Sequence, residues 1–127
     1  MKNEEIVSHW FASAQEDKNA ASAMFDSGHY HWCLFLWHLT LEKLFKAVLT
    51  KNDAEIPFTH NLILLAKVIK LNYSSAGEKE LKEINTFNLE ARYDDYKQSF
   101  YKKATKDYAT QWVGVCEKWF DTIKEYL

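Results

Sequence analysis

Residues that form turns are scarce in this sequence, and their scarcity constrains the fold more than any other feature. Only three Gly and one Pro occur among 127 residues. An all-β protein of this length needs many tight turns, for which Gly and Pro are the usual residues. The apolar residues instead recur every three or four positions, which is the period of one face of an α-helix. The sequence therefore predicts an all-α protein.

The first two predicted helices are long. One apolar stripe runs from Ile6 to Met24 and stops near Gly28, a residue typical of helix C-termini. The next segment, about Tyr30 to Lys51, is apolar nearly all round, as expected for a helix buried between neighbouring helices or against a second subunit. Because an exposed apolar patch of that size usually marks an interface, we predict a homodimer.

Three further helices are predicted from capping residues. Thr59 precedes a short helix, and Thr105 precedes the last one. Ser75 and Glu78 form a capping-box pattern between them. Loops are expected near residues 52 to 58, 72 to 75 and 93 to 104. The prediction is one domain over residues 1–127, an antiparallel up-and-down four-helix bundle with a short additional helix.

Composition narrows the classes of function. The formal net charge is −2, so no global field attracts the chain to nucleic acid or anionic lipid. Cys33 and Cys116 lie in apolar helical patterns without metal-ligand spacing, which indicates reduced cysteines of a cytoplasmic protein. The N-terminus has no apolar signal core, and the most apolar segment carries too many charges to span a membrane. We expect no cofactor and no membrane partner.

Arg92 is the only Arg among sixteen Lys and Arg residues. Its planar fork makes two parallel hydrogen bonds to a carboxylate or a phosphate, which Lys does not reproduce. Two roles are open. Asp17 lies on the inward stripe of the first helix, and a structural ion pair with Arg92 or with a Lys would stabilise its carboxylate. Alternatively, Arg92 lies in a cleft and binds an anion.

Tyr and Lys residues follow Arg92 in the sequence. Residues 96 to 106 contain four Lys and no acidic residue. Aromatic rings interleaved with cations suit stacking on bases and contact with phosphates, although the rings of an exposed loop can equally pack back on the bundle. For the binding interpretation, this stretch supplies the candidate residues Arg92, Tyr93, Tyr96 and Lys97.

A polar stripe on the second helix contains His31, His38 and Glu42, with Lys46 slightly further round. A metal site would need further carboxylate–histidine pairs on facing helices, so a Glu42–Lys46 ion pair is the simpler interpretation and no metal is expected. His60, near the start of the third helix, can contact an anion or serve a local structural role. The candidate anion-binding residues in this part of the chain are Lys43, Lys46 and His60.

Segments of the sequence resemble HEPN domains, and they occur in the same order. "HWFASAQEDKNAASAMFDSGHYHWCLFLWHLTLEKLFKAVL" is similar to their first two helices, "PFTHNLILLAKVI" to their third, and "NLEARYDDY" to their Ala-Arg-Tyr segment. The resemblance covers about residues 9 to 127. It implies a helical bundle and commonly a homodimer. Many HEPN proteins are partners of a minimal nucleotidyltransferase in toxin–antitoxin-like pairs.

A ribonuclease branch of that family carries an Arg followed, after four to six residues, by a His. Arg92 matches the Arg, but the three His positions hold Lys97, Gln98 and Ser99. Lys97 is a poor proton shuttle because the ordinary pKa of Lys is far above neutral. In the paired systems a Tyr two residues after the His position can be modified, which corresponds to Tyr101 here.

Three functions follow from the resemblance. The first is a non-catalytic binding protein that holds a nucleotide, RNA or a nucleotidyltransferase, with Arg92 in its anion-binding cleft. The second is a ribonuclease toxin, and the third is a structural dimer without a ligand. Because the His of the motif is missing, we favour the first.

Overall fold

The computed structural model describes residues 2–93 and 98–127, with the side chain of Lys2 excepted. This part of the chain contains six helices and no strand, which confirms the all-α prediction. The helices are α1 (Lys2–Asp26), α2 (Tyr30–Lys51), α3 (Leu62–Val68), α4 (Ser75–Arg92), α5 (Ser99–Lys103) and α6 (Lys106–Lys124). Four of them are long (α1, α2, α4 and α6), as expected for a four-helix bundle. Within the described ranges, no helix has the length and apolar character needed to cross a membrane.

Helix α2 lies at the centre of the bundle, where α1, α3, α4, α5 and α6 all contact it. Leu34, Trp37, Leu41 and Phe45 of α2 are buried by these neighbours. Each such side chain stabilises the fold by about 1.5–3 kcal/mol. The apolar character of α2 is therefore largely explained by burial within one chain, and it does not by itself indicate a dimer interface.

Small residues allow α1 to lie close against α2, since Ala14 and Ala21 are fully buried. The core also contains two free cysteines, Cys33 and Cys116. Burial raises the pKa of the Cys33 thiol to about 12 and raises that of Cys116 well above its ordinary value. Both side chains are therefore neutral thiols that serve as packing groups.

Helix α1 ends where Gly28 permits a left-handed backbone, with φ of 80°. The Gly28 N–H donates to the Phe25 carbonyl at 3.0 Å, and the His29 N–H donates to the Met24 carbonyl at 2.8 Å. These two bonds satisfy carbonyls that the helix leaves open and turn the chain into α2. The predicted end of the first helix is confirmed.

Two predicted helix caps are displaced by one or two residues. Asn61 rather than Thr59 caps α3, and Ser74 rather than Ser75 caps α4. Thr59 and Asn61 both have side chains that can cap a helix, and so do Ser75 and Ser74. The residue that caps the helix, Asn61 or Ser74, has an extended backbone. Thr105 caps α6, as predicted.

Helix α5 lies inside the stretch 93–104, for which a loop is predicted. It contains only five residues and follows Gln98, whose backbone is left-handed with φ of 55°. Phe100 buries its ring 5.9 Å from that of Phe87 on α4. The Lys103 ammonium lies 2.8 Å from the Glu83 carboxylate, also on α4. Packing against α4, rather than an apolar pattern of its own, accounts for this short helix.

Candidate functional site

Side chains from three helices form a continuous surface where α2 begins, α4 ends and α5 packs beside them. We call it the aromatic–arginine surface. In the order in which they contact one another, its members are Tyr101, His31, Trp32, Phe35, Arg92 and Tyr93.

Ring contacts connect the α5 and α2 parts of this surface. The ring centroids of Tyr101 and His31 are 5.2 Å apart, and those of His31 and Trp32 are 5.0 Å apart. Trp32 meets Phe35 edge to face at 5.8 Å. These separations are typical of favourable aromatic pairs, so the four rings form one row.

Arg92 extends the row onto α4. Its guanidinium carbon lies 5.9 Å from the Phe35 ring and 5.2 Å from the Tyr93 ring, within the range of cation–π attraction. It also donates a hydrogen bond to the Tyr93 hydroxyl at 3.3 Å. Among the described residues, no carboxylate forms an ion pair with Arg92. Its side chain is exposed, so donors of the fork face solvent.

The topology brings these residues together. Phe35 contacts Arg92, and further along α2 His38 lies near Asn85. Residue numbers thus rise along α2 while they fall along α4, which is an antiparallel arrangement. The first turns of α2 therefore lie beside the last turn of α4. Helix α5 adds Tyr101 because Phe100 anchors it in the core.

Three exposed aromatic side chains lie together on this surface. Trp32 is 40% exposed, Tyr101 55% and Tyr93 67%. Large rings left this open near a guanidinium that lacks a carboxylate partner in the described part are typical of a binding surface. Bases can stack on such rings, and an Arg fork can hold a phosphate.

A second polar region, which we call the Glu42 network, lies further along α2. It consists of His38, Glu42, Lys46 and His60. The Glu42 carboxylate is bound on both oxygens, with His60 Nδ1 2.8 Å from Oε1 and the Lys46 ammonium 2.9 Å from Oε2. The His38 Nε2–H donates to the His60 backbone carbonyl at 2.9 Å. The network joins α2 to the segment that leads into α3.

Burial determines the charge of His38. Desolvation lowers the pKa of His38 to about 4, although the nearby Glu42 carboxylate acts in the opposite direction. The imidazole is therefore neutral near pH 7. Its Nδ1 lies 3.8 Å from the carboxylate without a hydrogen bond. Burial by itself would raise the pKa of Glu42, but bonds from Lys46 and His60 outweigh it and lower that pKa.

The cation beside Asp17 is Lys43, not Arg92. The Lys43 ammonium lies 2.7 Å from Asp17 Oδ2 and donates a hydrogen bond to the Ser13 hydroxyl at 2.8 Å. Because Oδ2 itself accepts no well-aligned hydrogen bond, the Asp17 contact is an ion pair. It joins α1 to α2, and Arg92 takes no part in it.

The remaining candidate residues divide into two groups. Lys43 and Lys46 follow Phe35 by eight and eleven residues, which places them about 12 and 16 Å from it along α2. Both are paired with carboxylates, and His60 binds Glu42. The structure thus does not bring Lys43, Lys46 and His60 together with Arg92. Tyr96 and Lys97 lie outside the described residues.

Three members of the surface are not among the predicted site residues: His31, Trp32 and Phe35. Trp32 and Phe35 belong to the apolar run of α2, and His31 to its polar stripe. Their adjacency to Arg92 depends on how α2 packs against α4, which no local pattern reports. No group of three or more His, Cys, Asp and Glu suited to a metal ion occurs in residues 2–93 and 98–127.

Comparison with known proteins places the chain in a family. The model of the HEPN domain matches residues 7–126. A comparison with curated proteins finds no match. The crystal structure of TT1696 from Thermus thermophilus is similar, with a TM-score of 0.82 and 13% sequence identity over 95% of this chain and 98% of that chain. At that identity the likeness concerns the fold alone. The family match spans nearly the whole sequence, and the protein belongs to the HEPN domain family.

Proposed function

We propose that this HEPN protein is a non-catalytic binding protein whose aromatic–arginine surface holds a nucleotide or single-stranded RNA. The observation that carries the proposal is the unbroken row of rings ending at the Arg92 guanidinium. Stacking on aromatic rings is tolerant of base identity, whereas a guanidinium fork recognises the phosphate. The two features together suit a nucleotide better than an isolated anion.

Local charge supports binding of this kind. The chain as a whole carries a formal charge of −2, so long-range attraction to RNA is absent. The Arg92 guanidinium contacts two of the rings, and the exposed Lys102 follows Tyr101 on α5. A binding site with few phosphate contacts loses affinity as salt concentration rises. We expect weak binding that depends on salt.

The positions of the histidines support a role without catalysis. A metal-free ribonuclease needs a proton shuttle beside the reacting phosphate, and His is the usual one. His60 is hydrogen-bonded to Glu42. His31 lies on the aromatic–arginine surface, but Trp32 and Phe35 separate it from Arg92 along the row of contacts. We therefore expect no cleavage of bound RNA.

The proposal also includes two protein partners, a second copy of the chain and a nucleotidyltransferase. We infer a homodimer that pairs with a minimal nucleotidyltransferase in a toxin–antitoxin-like system, as many members of the family do. Leu89 is 63% exposed and precedes Arg92 and Tyr93 by three and four residues, so it lies on the same face of α4. It extends the surface with apolar area suited to a protein partner. Tyr101, which is exposed on α5, is the proposed site of modification.

The proposal is tested by titrating a fluorescently labelled single-stranded RNA with the wild type, Arg92→Lys and Arg92→Ala. Loss of the guanidinium is expected to weaken binding about tenfold or more, because hydrogen bonds to charged groups contribute about 1.5–3 kcal/mol. Arg92→Lys should retain part of the affinity, since it keeps the charge and loses the fork. Equal affinities of all three proteins would contradict the proposed site.

Catalysis and assembly are checked on the same samples. Intact RNA after incubation with the wild type is the expected result, and cleavage that disappears in Arg92→Ala would contradict the non-catalytic assignment. Light scattering at micromolar concentration should give the mass of a dimer, and Leu89→Asp should lower it toward that of a monomer. A monomeric wild type would remove the homodimer from the proposal.

A further inference from the structure

A cavity of about 400 Å³ lies between α1, α2 and α6, on a different part of the bundle from the Arg92 surface. Its floor consists of Phe25, Cys33, Trp37 and Val113, and polar residues of α1 and α6 stand around the mouth. Pockets that hold small molecules have volumes of about 300–1,000 Å³ and combine an apolar lining with a few polar groups. The cavity meets both criteria.

The absence of a side chain at Gly114 helps to keep the cavity open. Gly114 lies in the middle of α6, where Gly is less favourable than almost any other residue. A Cβ added to Gly114 would meet no atom within 4 Å, so packing does not require glycine there. The other helical glycine, Gly77, differs, because its Cβ would lie 3.3 Å from both Trp119 and Tyr73. Gly114 lines the cavity, and a larger side chain would fill it.

Charges of both signs line the cavity. Lys18 approaches from α1 and Glu117 from α6. The Lys18 ammonium lies 4.5 Å from the Phe120 ring, and within the described ranges neither Lys18 nor Glu117 forms an ion pair. Asn19 adds an amide beside Lys18. A ligand that bears one negative and one positive group can therefore be bound from both sides, while its apolar part lies on the floor beside Trp37.

We propose that this cavity binds a small aromatic zwitterion, the chemistry of an aromatic α-amino acid. Its ring would lie against Phe25, Trp37 and Val113. Its carboxylate would face Lys18, and its ammonium would face Glu117. The Cys33 thiol serves as a neutral wall, because burial keeps it protonated. This site is independent of the nucleotide or RNA site, and the two can be tested separately.

The test compares four probes that share a phenyl group: phenylalanine, 3-phenylpropionate, phenethylamine and ethylbenzene. Binding is followed by the NMR signals of the Trp37 indole and the Val113 methyl groups. Phenylalanine is expected to bind best, with a Kd on the order of 1 mM for so small a molecule. Equal or weaker binding of phenylalanine than of the two singly charged probes would overturn the assignment of a zwitterion. No shift with any probe would overturn the site itself.

Gly114→Leu fills the cavity and supplies the structural control. It should abolish the shifts while keeping the fold, and its Tm should equal or exceed that of the wild type, since leucine is the better helix former. Gln111→Leu adds the same side chain to an exposed position of α6 that does not line the cavity, and it should bind phenylalanine like the wild type. Gly114→Ala, which adds only a methyl group, replaces Gly114→Leu if that variant fails to fold, and a reduced affinity is expected. Undiminished binding in the filled cavity would contradict the proposal.

Discussion

The Glu42 network and the aromatic–arginine surface are both built on α2, and they use their polar residues in opposite ways. Glu42 is 3% exposed, and both of its carboxylate oxygens are bound by neighbouring side chains. Arg92 faces solvent between the rings of Phe35 and Tyr93. Glu42 follows Phe35 by only seven residues, a distance of about 10 Å along the helix.

Under the proposed function, one helix serves both stability and binding. Charged groups that pair inside the bundle fix the position of α3. Removing one of them leaves its partners without a counter-charge. Rings and donors at the surface contribute little to folding, because solvent already reaches them. Substitutions in the network should therefore change the free energy of unfolding and leave binding intact, and substitutions in the surface should do the reverse.

The largest effect is expected for Glu42→Ala. It removes the carboxylate that binds Lys46 and His60, and breaking a buried ion pair costs about 3–5 kcal/mol. Because the Lys46 side chain is partly exposed and can turn toward water, we expect a loss at the lower end of that range in urea unfolding. Glu42→Gln keeps the shape and should lose less. An unfolding curve of Glu42→Ala that matches the wild type would contradict the role of the network.

Acid should destabilise the protein through the same network. The pKa of His38 is about 4 in the folded protein, against an ordinary value of 6.5, so the unfolded chain takes up a proton first. Stability is thus greatest above pH 6.5 and declines as the pH falls to 4, by about 2–3 kcal/mol from this residue. The lowered pKa of Glu42 acts in the same direction below its ordinary value of 4.5.

Urea unfolding between about pH 7 and pH 4 measures this dependence. His38→Gln removes the titrating group and should flatten the decline between pH 6.5 and pH 4, even if it lowers stability at every pH. If the free energy of unfolding changes with pH equally in wild type and variant, groups other than His38 cause the pH dependence.

Asp17→Ala should have a smaller effect. The Asp17 and Lys43 side chains are 18% and 26% exposed, so both retain some access to water and the pair contributes less than a fully buried one. We expect a loss of about 1 kcal/mol by thermal or urea unfolding. Glu16→Ala, at an exposed neighbouring position, is the matched control and should be neutral. A loss as large as that of Glu42→Ala would show that the pair is more tightly coupled to the core than its exposure indicates.

Arg92→Ala should change stability least, by no more than about 0.5 kcal/mol, as is usual for surface substitutions. Among the described residues, the guanidinium contacts only the side chains of Phe35 and Tyr93. Melting curves of wild type and variant should overlap. A shift of several degrees would mean that Arg92 serves folding, and the contrast between the two regions of α2 would then fail.

The long helices were predictable from the sequence because apolar stripes mark α1, α4 and α6, a nearly continuous apolar run marks α2, and capping residues precede α4 and α6. Helix α5 was not, since its five residues have no periodic pattern and it is held by contacts of Phe100 and Lys103 with α4. The apolar run of α2 fitted both an interface and a central helix. Only the packing of five other helices around it distinguishes the two.

The partners of individual side chains could not be predicted from the sequence, for a related reason. Asp17 had cations of two kinds available, and its partner, Lys43, is selected by the register between α1 and α2. The contact of Arg92 with Phe35 likewise follows from the antiparallel packing of α4 on α2. Periodicity reports which face of a helix is buried, but it does not report which residues of two helices lie opposite each other.

The most direct test of the central claim is the affinity of single-stranded RNA for Trp32→Ala compared with Phe58→Ala. Both remove an exposed aromatic ring, but Trp32 belongs to the aromatic–arginine surface, whereas Phe58 is fully exposed beside a small cavity lined by Lys46 and His60. Since one stacked base contributes about 1–3 kcal/mol, Trp32→Ala should weaken binding about tenfold and Phe58→Ala should bind like the wild type. Equal losses in both variants, or no loss in Trp32→Ala, would contradict a binding site on this surface.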